Sequence, residues 1–276
     1  MTRTILITGC SSGIGHHAAH ALKDRGWRVF AACRKAEDCA RLRAEGLDAP
    51  MLDYQDPNSI AAAFDEVMAA TGGRLDALFN NGAYAQPGAV EDLPTDALRA
   101  IFEANFFGWH DLTRRAIPVM RAAGAGRIVQ NSSVLGFAAL RFRGAYNSTK
   151  FAIEGYTDTL RLELRETGIH LILIEPGPIR TRIRQNARAH YERWIEPDGS
   201  PWARLYRDEL EPRLYAEDPA PDPFELGPEA TTAKLIHALE SRRPRPRYYV
   251  TRPTYVAGLL KRVLPTRWLD AVLVRG

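Results

Sequence analysis

Residues 4–15 read Thr4-Ile5-Leu6-Ile7-Thr8-Gly9-Cys10-Ser11-Ser12-Gly13-Ile14-Gly15, a short apolar run passing into a glycine-rich turn. The run has the length of a buried strand, and a helix is expected to open near Gly13. Glycines there permit a tight turn, close approach of backbone to a pyrophosphate and close helix packing. The helix N-terminus adds free N–H groups and partial positive charge. Gly9, Ser11, Ser12, Gly13, Ile14 and Gly15 therefore read as a dinucleotide-binding loop, although their spacing departs from G-x-G-x-x-G.

Working outward, apolar runs of strand length alternate with longer stretches of helical period. Strands are expected at Thr4–Thr8, Arg28–Cys33, Ala49–Asp53, Leu75–Asn80, Arg127–Ser132, His170–Glu175 and Arg247–Thr251. The longest helices are expected from Thr95 to about Ala123 and from Tyr146 to about Thr167, with Pro94 and Gly168 as start and stop signals. This pattern predicts an α/β fold: one doubly wound domain over residues 1–276, with a mostly parallel seven-stranded sheet covered by helices on both faces. After Gly177 the pattern loosens. Residues 182–224, ending in Pro219-Ala220-Pro221-Asp222-Pro223, read as an insertion that would project from the carboxyl edge of the sheet as a substrate lid. The tail, residues 253–276, sets Val256, Leu259, Leu260, Val263 and Leu264 among Lys261, Arg262 and Arg267. That amphipathic basic pattern is expected to pack on the body or on a partner subunit rather than on a membrane.

With 276 residues, 45% hydrophobic and 25% charged, the chain can bury a sizeable core. Its net charge of +4 and pI near 9.0 come from Lys and Arg spread along the chain, densest in the last forty residues, which argues against nucleic acid as a partner. Cys10, Cys33 and Cys39 lack the paired spacing of a disulfide framework or zinc site, so a reducing, cytoplasmic setting is expected. The N-terminal apolar run is too short for a signal peptide or membrane span. His16 and His20, at i and i+4 with His17 nearby, have metal-ligand spacing, but no third ligand stands out and no metal is expected.

Gly9-x-Ser11-x-Gly13 also matches the nucleophile elbow of hydrolases. That reading needs an earlier strand and loop to supply an oxyanion donor, and only eight residues precede Gly9. The second strand ends Ala31-Ala32-Cys33-Arg34-Lys35, where a dinucleotide site selects its cofactor. No carboxylate is present to repel a 2′-phosphate, and Arg34 offers a planar fork of donors, so NADP(H) is expected over NAD(H). The alternative makes Arg34 and Lys35 merely a solvated start to the following helix.

Tyr146-Asn147-Ser148-Thr149-Lys150 puts a phenol and an ammonium on one helix face. A phenol is a poor base at neutral pH, and a nearby ammonium stabilises its phenolate. Ser133, at the end of a strand on the same edge, can hydrogen-bond a substrate oxygen, or it is ordinary turn chemistry. Asn105 is either a packing residue or part of a proton relay.

In this order and spacing, the chain from Thr4 to about Thr181 resembles the short-chain dehydrogenase/reductase family. The matching pieces are Thr8-Gly9-x-x-x-Gly13-Ile14-Gly15, Asp53, Asn80-Asn81-Gly82-Ala83, Asn105, Ser133, Tyr146-x-x-x-Lys150 and Pro176-Gly177-x-x-x-Thr181. The resemblance implies a Rossmann fold and interconversion of an alcohol with a ketone or aldehyde. It implies Tyr146 as acid/base, Ser133 orienting the substrate oxygen, Lys150 holding the ribose and lowering the Tyr146 pKa, and Asn105 supporting a water relay. It further implies Asp53 at the adenine, Asn81 and Gly82 beside the adenosine ribose, and Pro176, Ile179 and Thr181 at the nicotinamide carboxamide, with Gly177 in the same loop. The family usually has Asn-Asn-Ala-Gly where this chain has Asn80-Asn81-Gly82-Ala83, so a slightly altered turn with retained binding is expected. Cys10-Ser11-Ser12 and Cys33-Arg34 are similar to the hydroxysteroid and retinol dehydrogenase branch, implying a lipophilic substrate. Leu135, Phe137, Ala138, Leu140, Phe142, Tyr191, Trp194 and Trp202 would form an apolar wall, or equally lid packing. The resemblance also implies a homodimer or homotetramer paired through the two long helices. A non-catalytic NADP(H)-binding sensor or assembly module is the alternative.

Overall fold

The computed structural model describes residues 2–217 and 220–274. Pro219 of the proline-rich run, and Arg275 and Gly276 of the tail, lie outside the described residues. The chain runs β1 (Thr4–Thr8), α1 (Gly13–Asp24), β2 (Arg28–Ala32), α2 (Ala36–Ala44), α3 (Pro57–Thr71), β3 (Ala77–Asn80), α4 (Thr95–Phe102), α5 (Gly108–Ala122), β4 (Gly126–Asn131), α6 (Gly144–Glu163) and β5 (Ile169–Glu175). It continues through α7 (Ile183–Trp194), α8 (Ala203–Leu205), α9 (Glu211–Tyr215), α10 (Pro228–Glu240), β6 (Arg247–Tyr249), α11 (Arg252–Val263) and α12 (Thr266–Leu273).

The strands form one parallel sheet in the order β2-β1-β3-β4-β5-β6. Every residue of β1 and of β3 is buried, as a sheet covered on both faces requires. Alternation divides the core in two. Ile5, Ile7, Ala77 and Phe79 face a layer that includes Leu22 of α1 and Leu235 of α10, whereas Leu6 and Leu78 face one that includes Phe64, Trp109 and Ile153. From β1 the chain steps outward to β2 and then returns to β3 on the other side. The resulting switch point opens a crevice at the carboxyl ends of β1 and β3, where such sheets bind ligands.

Two expectations are corrected. The sheet has six strands among the described residues: the segment at Ala49–Asp53 runs along β2 only through isolated bridges, Phe30 with Asp48 and Cys33 with Met51. Pro50 lies between them and has no N–H to donate, so a continuous edge ladder cannot form. The helix expected over Thr95–Ala123 is helical throughout, but Glu103–Phe107 widens into a π turn between α4 and α5. Such turns add a residue locally and recur at functional sites, and this one carries Asn105.

The tail forms α11 and α12. Thr254, Gly258 and Leu269 are buried against the body, and a Cβ at Gly258 would lie 2.7 Å from the Tyr249 ring. Val256, Leu259 and Val263 of the expected packing face remain exposed. Among the described residues no helix is long and apolar enough to cross a membrane.

Candidate active site

Three loops converge at the carboxyl edge. Gly9 and Gly13 take φ of +68° and +60°, the left-handed region that only glycine enters without strain. A Cβ on Gly9 would lie 2.6 Å from Gly82 Cα, and one on Gly15 would lie 2.4 Å from the Gly9 carbonyl oxygen, so backbone meets backbone at both points. The loop from β5 closes from the other side: Thr181 Cγ2 stands 3.1 Å from where a Gly13 Cβ would be, and Thr251 Oγ1 stands 2.1 Å from a Gly177 Cβ. Helix α1 opens after Ser12 with no acidic residue in its first turn, leaving its N–H groups and positive end suited to an anion. Glycines at these close approaches, together with the open helix N-terminus, fit the pyrophosphate of a dinucleotide.

Thr8 holds the floor. Its Oγ1 accepts from Asn81 N at 2.9 Å and Gly82 N at 3.0 Å, and the buried Tyr54 hydroxyl lies 2.8 Å from it. Asn81 donates through its amide to Thr8 O at 2.9 Å, and Trp109 Nε1 donates to Gly82 O at 2.8 Å. The exchange of Gly82 and Ala83 thereby has a structural meaning. Gly82 takes the close approach to Gly9, and half-buried Ala83 packs against the edge of the core layer. Asp53 is half-buried, with Oδ1 accepting from Gln55 N at 3.0 Å. Arg34 is exposed and makes no ion pair among the described residues. Ile179 forms a bridge with Leu226, and Pro176 O accepts from Val134 N at 2.8 Å, which ties the β5 loop to the turn carrying Ser133.

Helix α6 delivers Tyr146 and Lys150 to this edge, both buried. Lys150 Nζ donates to Asn131 O at 2.7 Å and sits 4.4 Å from the Trp109 ring and 5.5 Å from the Tyr146 ring. Ser133 caps the turn after β4, its Oγ accepting from Leu135 N at 3.1 Å. Burial pushes the Tyr146 phenol up to about 12, with the Ser133 hydroxyl bond pulling the other way. Burial also pushes Lys150 down to about 7, against the opposing pull of Glu154. In the protein alone burial outweighs the expected lowering of Tyr146 by Lys150, because a low-dielectric setting disfavours the charged form of each side chain. Asn105 is fully buried and its amide clasps Tyr84: Oδ1 accepts from Tyr84 N at 3.1 Å and Nδ2 donates to Tyr84 O at 2.9 Å.

The insertion after β5 has a small core of its own. Tyr191, Tyr206, Leu210 and Leu214 pack on Ala89 and Phe142, with Trp202 against them. Phe142, Tyr191 and Trp202 thus pack in this small core. Phe137 lies against Tyr249 at 5.6 Å, and Trp194 against Arg193. Of the expected apolar wall, Leu135 packs at Tyr146, alongside Tyr84, Ala85, Leu93 and Phe102. Tyr84 also stacks on His190 of α7 at 3.8 Å, joining the insertion to the residues around Tyr146. Sequence reasoning missed Tyr54, Tyr84, Trp109 and Asn131. Tyr54 and Tyr84 directly follow the matched Asp53 and Gly82-Ala83, and Asn131 directly precedes the Ser132-Ser133 turn, so proximity was the one available signal.

The signature of the short chain dehydrogenase family matches residues 3–192. The chain belongs to that family. It is 40% identical over 278 residues to an uncharacterized oxidoreductase, YbbO, of Escherichia coli strain K12, covering 99% of this chain and 94% of the relative. It is 32% identical over 265 residues to the 17-beta-hydroxysteroid dehydrogenase type 1 of Homo sapiens, covering 91% and 78% respectively. A short chain dehydrogenase/reductase from Burkholderia phymatum, solved in complex with NAD, superposes with a TM-score of 0.75 at 25% identity over 94% of this chain and 92% of that one. The family assignment makes the protein an oxidoreductase of a nicotinamide-cofactor class and removes the hydrolase reading of Ser11, which follows the first strand of the sheet.

Proposed function

We propose that the protein is an NADP(H)-dependent oxidoreductase that interconverts a lipophilic alcohol with its ketone or aldehyde. The observation that carries this reading is the meeting of buried Tyr146, Lys150 and Ser133 beside a backbone cradle of Gly9, Gly15 and Gly82. When bound at this edge, a nicotinamide would supply or accept the hydride. Tyr146, protonated through the neutral range, gives its proton to the substrate oxygen in reduction, and Ser133 donates a hydrogen bond to that oxygen. Lys150, poised near neutrality, passes a proton toward Tyr146 and holds the cofactor ribose. The Asn105 side chain is spent on Tyr84, so its part in a water relay runs through the backbone of the π turn.

Arg34 and the helix N-terminus supply the basis for NADP(H): an exposed guanidinium without a carboxylate partner at the end of β2 suits a 2′-phosphate. Asn81 and Gly82 take the adenosine ribose and Asp53 the adenine. Pro176, Gly177, Ile179 and Thr181 hold the nicotinamide end. Residues 182–224 act as the lid of a single-domain enzyme, and Tyr84, Leu93, Phe102 and Leu135 provide its apolar surface at Tyr146. Three buried free cysteines suit a reducing compartment. Exposed Phe107, Phe151 and Leu162, on the π turn and α6, support pairing of copies through these helices, for which light scattering is the check.

The direct experiment follows NADPH absorbance with steroid, retinoid, aliphatic and aromatic carbonyls, beside NADH and the Tyr146→Phe variant. Tyr146-dependent NADPH consumption is expected. Tight NADPH binding without turnover on any carbonyl would favour a sensor, and absence of binding would defeat the cofactor assignment.

A further inference from the structure

Away from Tyr146, α1 carries His16 and His20 one turn apart, their ring centroids 4.7 Å from each other. The fold brings Glu45, just past the end of α2, against both. Glu45 Oε2 lies 3.1 Å from His16 Nε2 and 2.7 Å from His20 Nε2, and the three ligand atoms all lie within 4.8 Å of one another. The sequence offered no third ligand for the histidine pair, because Glu45 is 25 residues beyond His20. We propose that His16, His20 and Glu45 form a binding site for a divalent transition-metal ion of the zinc class.

The donor set is two imidazole nitrogens and one carboxylate oxygen, which with a water makes the four-coordinate arrangement zinc favours. Ligand atoms in such a site stand about 3.3 Å apart, given metal–ligand bonds near 2.0 Å. The two carboxylate–imidazole distances are already near that value, and small side-chain shifts of the two rings and of Glu45 would complete the triangle around an ion. The two oxygens of Glu45 are already divided. Oε2 faces the histidines, while Oε1 accepts from Arg41 Nη1 at 3.1 Å, an outer partner that orients the carboxylate. Lys23 Nζ donates to the Glu45 backbone carbonyl at 2.8 Å and so leaves the ligating oxygens free. All three side chains are about one-third exposed, enough for an ion to enter and keep a water.

The place in the fold gives the site a reach beyond its ligands. Arg41 Nη2 also donates to Ser11 O at 2.8 Å, so the guanidinium joins Glu45 to the phosphate-binding loop. An ion here clips α1 to the end of α2, the two helices that flank the adenosine end of the cleft.

The test is calorimetric titration of zinc chloride into chelator-treated, tag-free protein, with thermal unfolding measured in parallel. The variants are His20→Asn, Glu45→Gln and, as a control off the site, His17→Asn, whose ring bonds Thr232 instead. One ion per chain is expected, with a higher melting temperature when saturated. Affinity should fall about tenfold or more in His20→Asn and Glu45→Gln and stay unchanged in His17→Asn. Because these side chains are partly exposed, the variants should fold, and cobalt(II) visible bands of tetrahedral intensity give an independent reading in the parent protein. Equal zinc affinity in the parent and in both ligand variants, or binding well below one ion per chain, would overturn the proposal.

Discussion

Lys150 Nζ donates to the backbone carbonyl of Asn131 at 2.7 Å, and the Asn131 amide in turn donates to Asn81 Oδ1 at 2.8 Å. One buried lysine thus ties α6 to the end of β4 and to the loop that floors the cofactor cradle. Burial lowers its pKa from 10.5 to about 7. A lowered basic group penalises the folded state whenever it is protonated. That cost is complete below about 7 and fades as pH climbs from about 7 toward 10.5. Lys150→Met should therefore melt above the parent protein at pH 6, by roughly 2–4 °C for each kcal/mol relieved, and the gap should narrow toward alkaline pH. Thermal unfolding without cofactor checks this, and a gap of constant size across pH would contradict it.

Tyr146→Phe removes the proposed proton donor and keeps the ring that packs with Ile101 and Ala145. Turnover with a good carbonyl substrate should drop by roughly a hundred- to ten-thousandfold, as loss of a positioned acid generally costs. NADPH affinity, read by fluorescence, should hold. Retained turnover would move the proton transfer to another group.

Arg34→Asp replaces a free cation with a carboxylate where the 2′-phosphate would lie. Hydrogen bonds to charged groups are worth about 1.5–3 kcal/mol, so NADPH affinity should weaken by about tenfold to a hundredfold, with NADH nearly unaffected. An unchanged ratio of NADPH to NADH affinity would place the cofactor's selector elsewhere.

Arg247 sits among three carboxylates. Its Nη1 pairs with Glu154 and, at 2.6 Å, with fully buried Glu175, and its Nη2 pairs with Asp158 at 2.6 Å. Arg247→Met leaves Glu175 charged or protonated without its partner, and stability in urea should fall by about 3–5 kcal/mol. A loss below 1 kcal/mol would mean that this cluster contributes little.

Tyr206 pins the insertion that follows β5. Its hydroxyl donates to Asp92 and accepts from Ala89 N at 2.8 Å. Tyr206→Phe keeps the ring and strands a buried N–H, which costs about 1–3 kcal/mol locally. Proteases should cut between residues 183 and 215 faster while the melting temperature of the whole chain changes little. An unaltered cleavage rate would mean that apolar packing alone seats the lid.

Much of the site was readable because it is local. Gly9, Gly13 and Gly15 sit in one turn, and Tyr146 and Lys150 share one helix face, so spacing alone placed them together. Ser133 and Arg34 follow strand ends, and strand ends in a parallel sheet reach a common edge. The failures have equally local causes. Pro50 broke the third expected strand by removing one donor. The π turn at Asn105 leaves no mark in residue type, because its apolar pattern continues on either side. Phe142, Tyr191 and Trp202 stayed open between pocket wall and packing, because composition cannot tell a wall from the packing behind it.

The sequence by itself determined the alternation of strands and helices apart from the segment at Pro50, the glycine-rich turn and the Tyr146–Lys150 pair, since each depends on residues within a few positions of one another and on backbone preferences that act at that range. Only the tertiary structure decided that burial governs the protonation of Tyr146 and Lys150, that Asn105 clasps Tyr84, and that Glu45 meets His16 and His20. Desolvation and side-chain contact depend on which surfaces the sheet and its crossovers bring together, and those partners are distant in the chain.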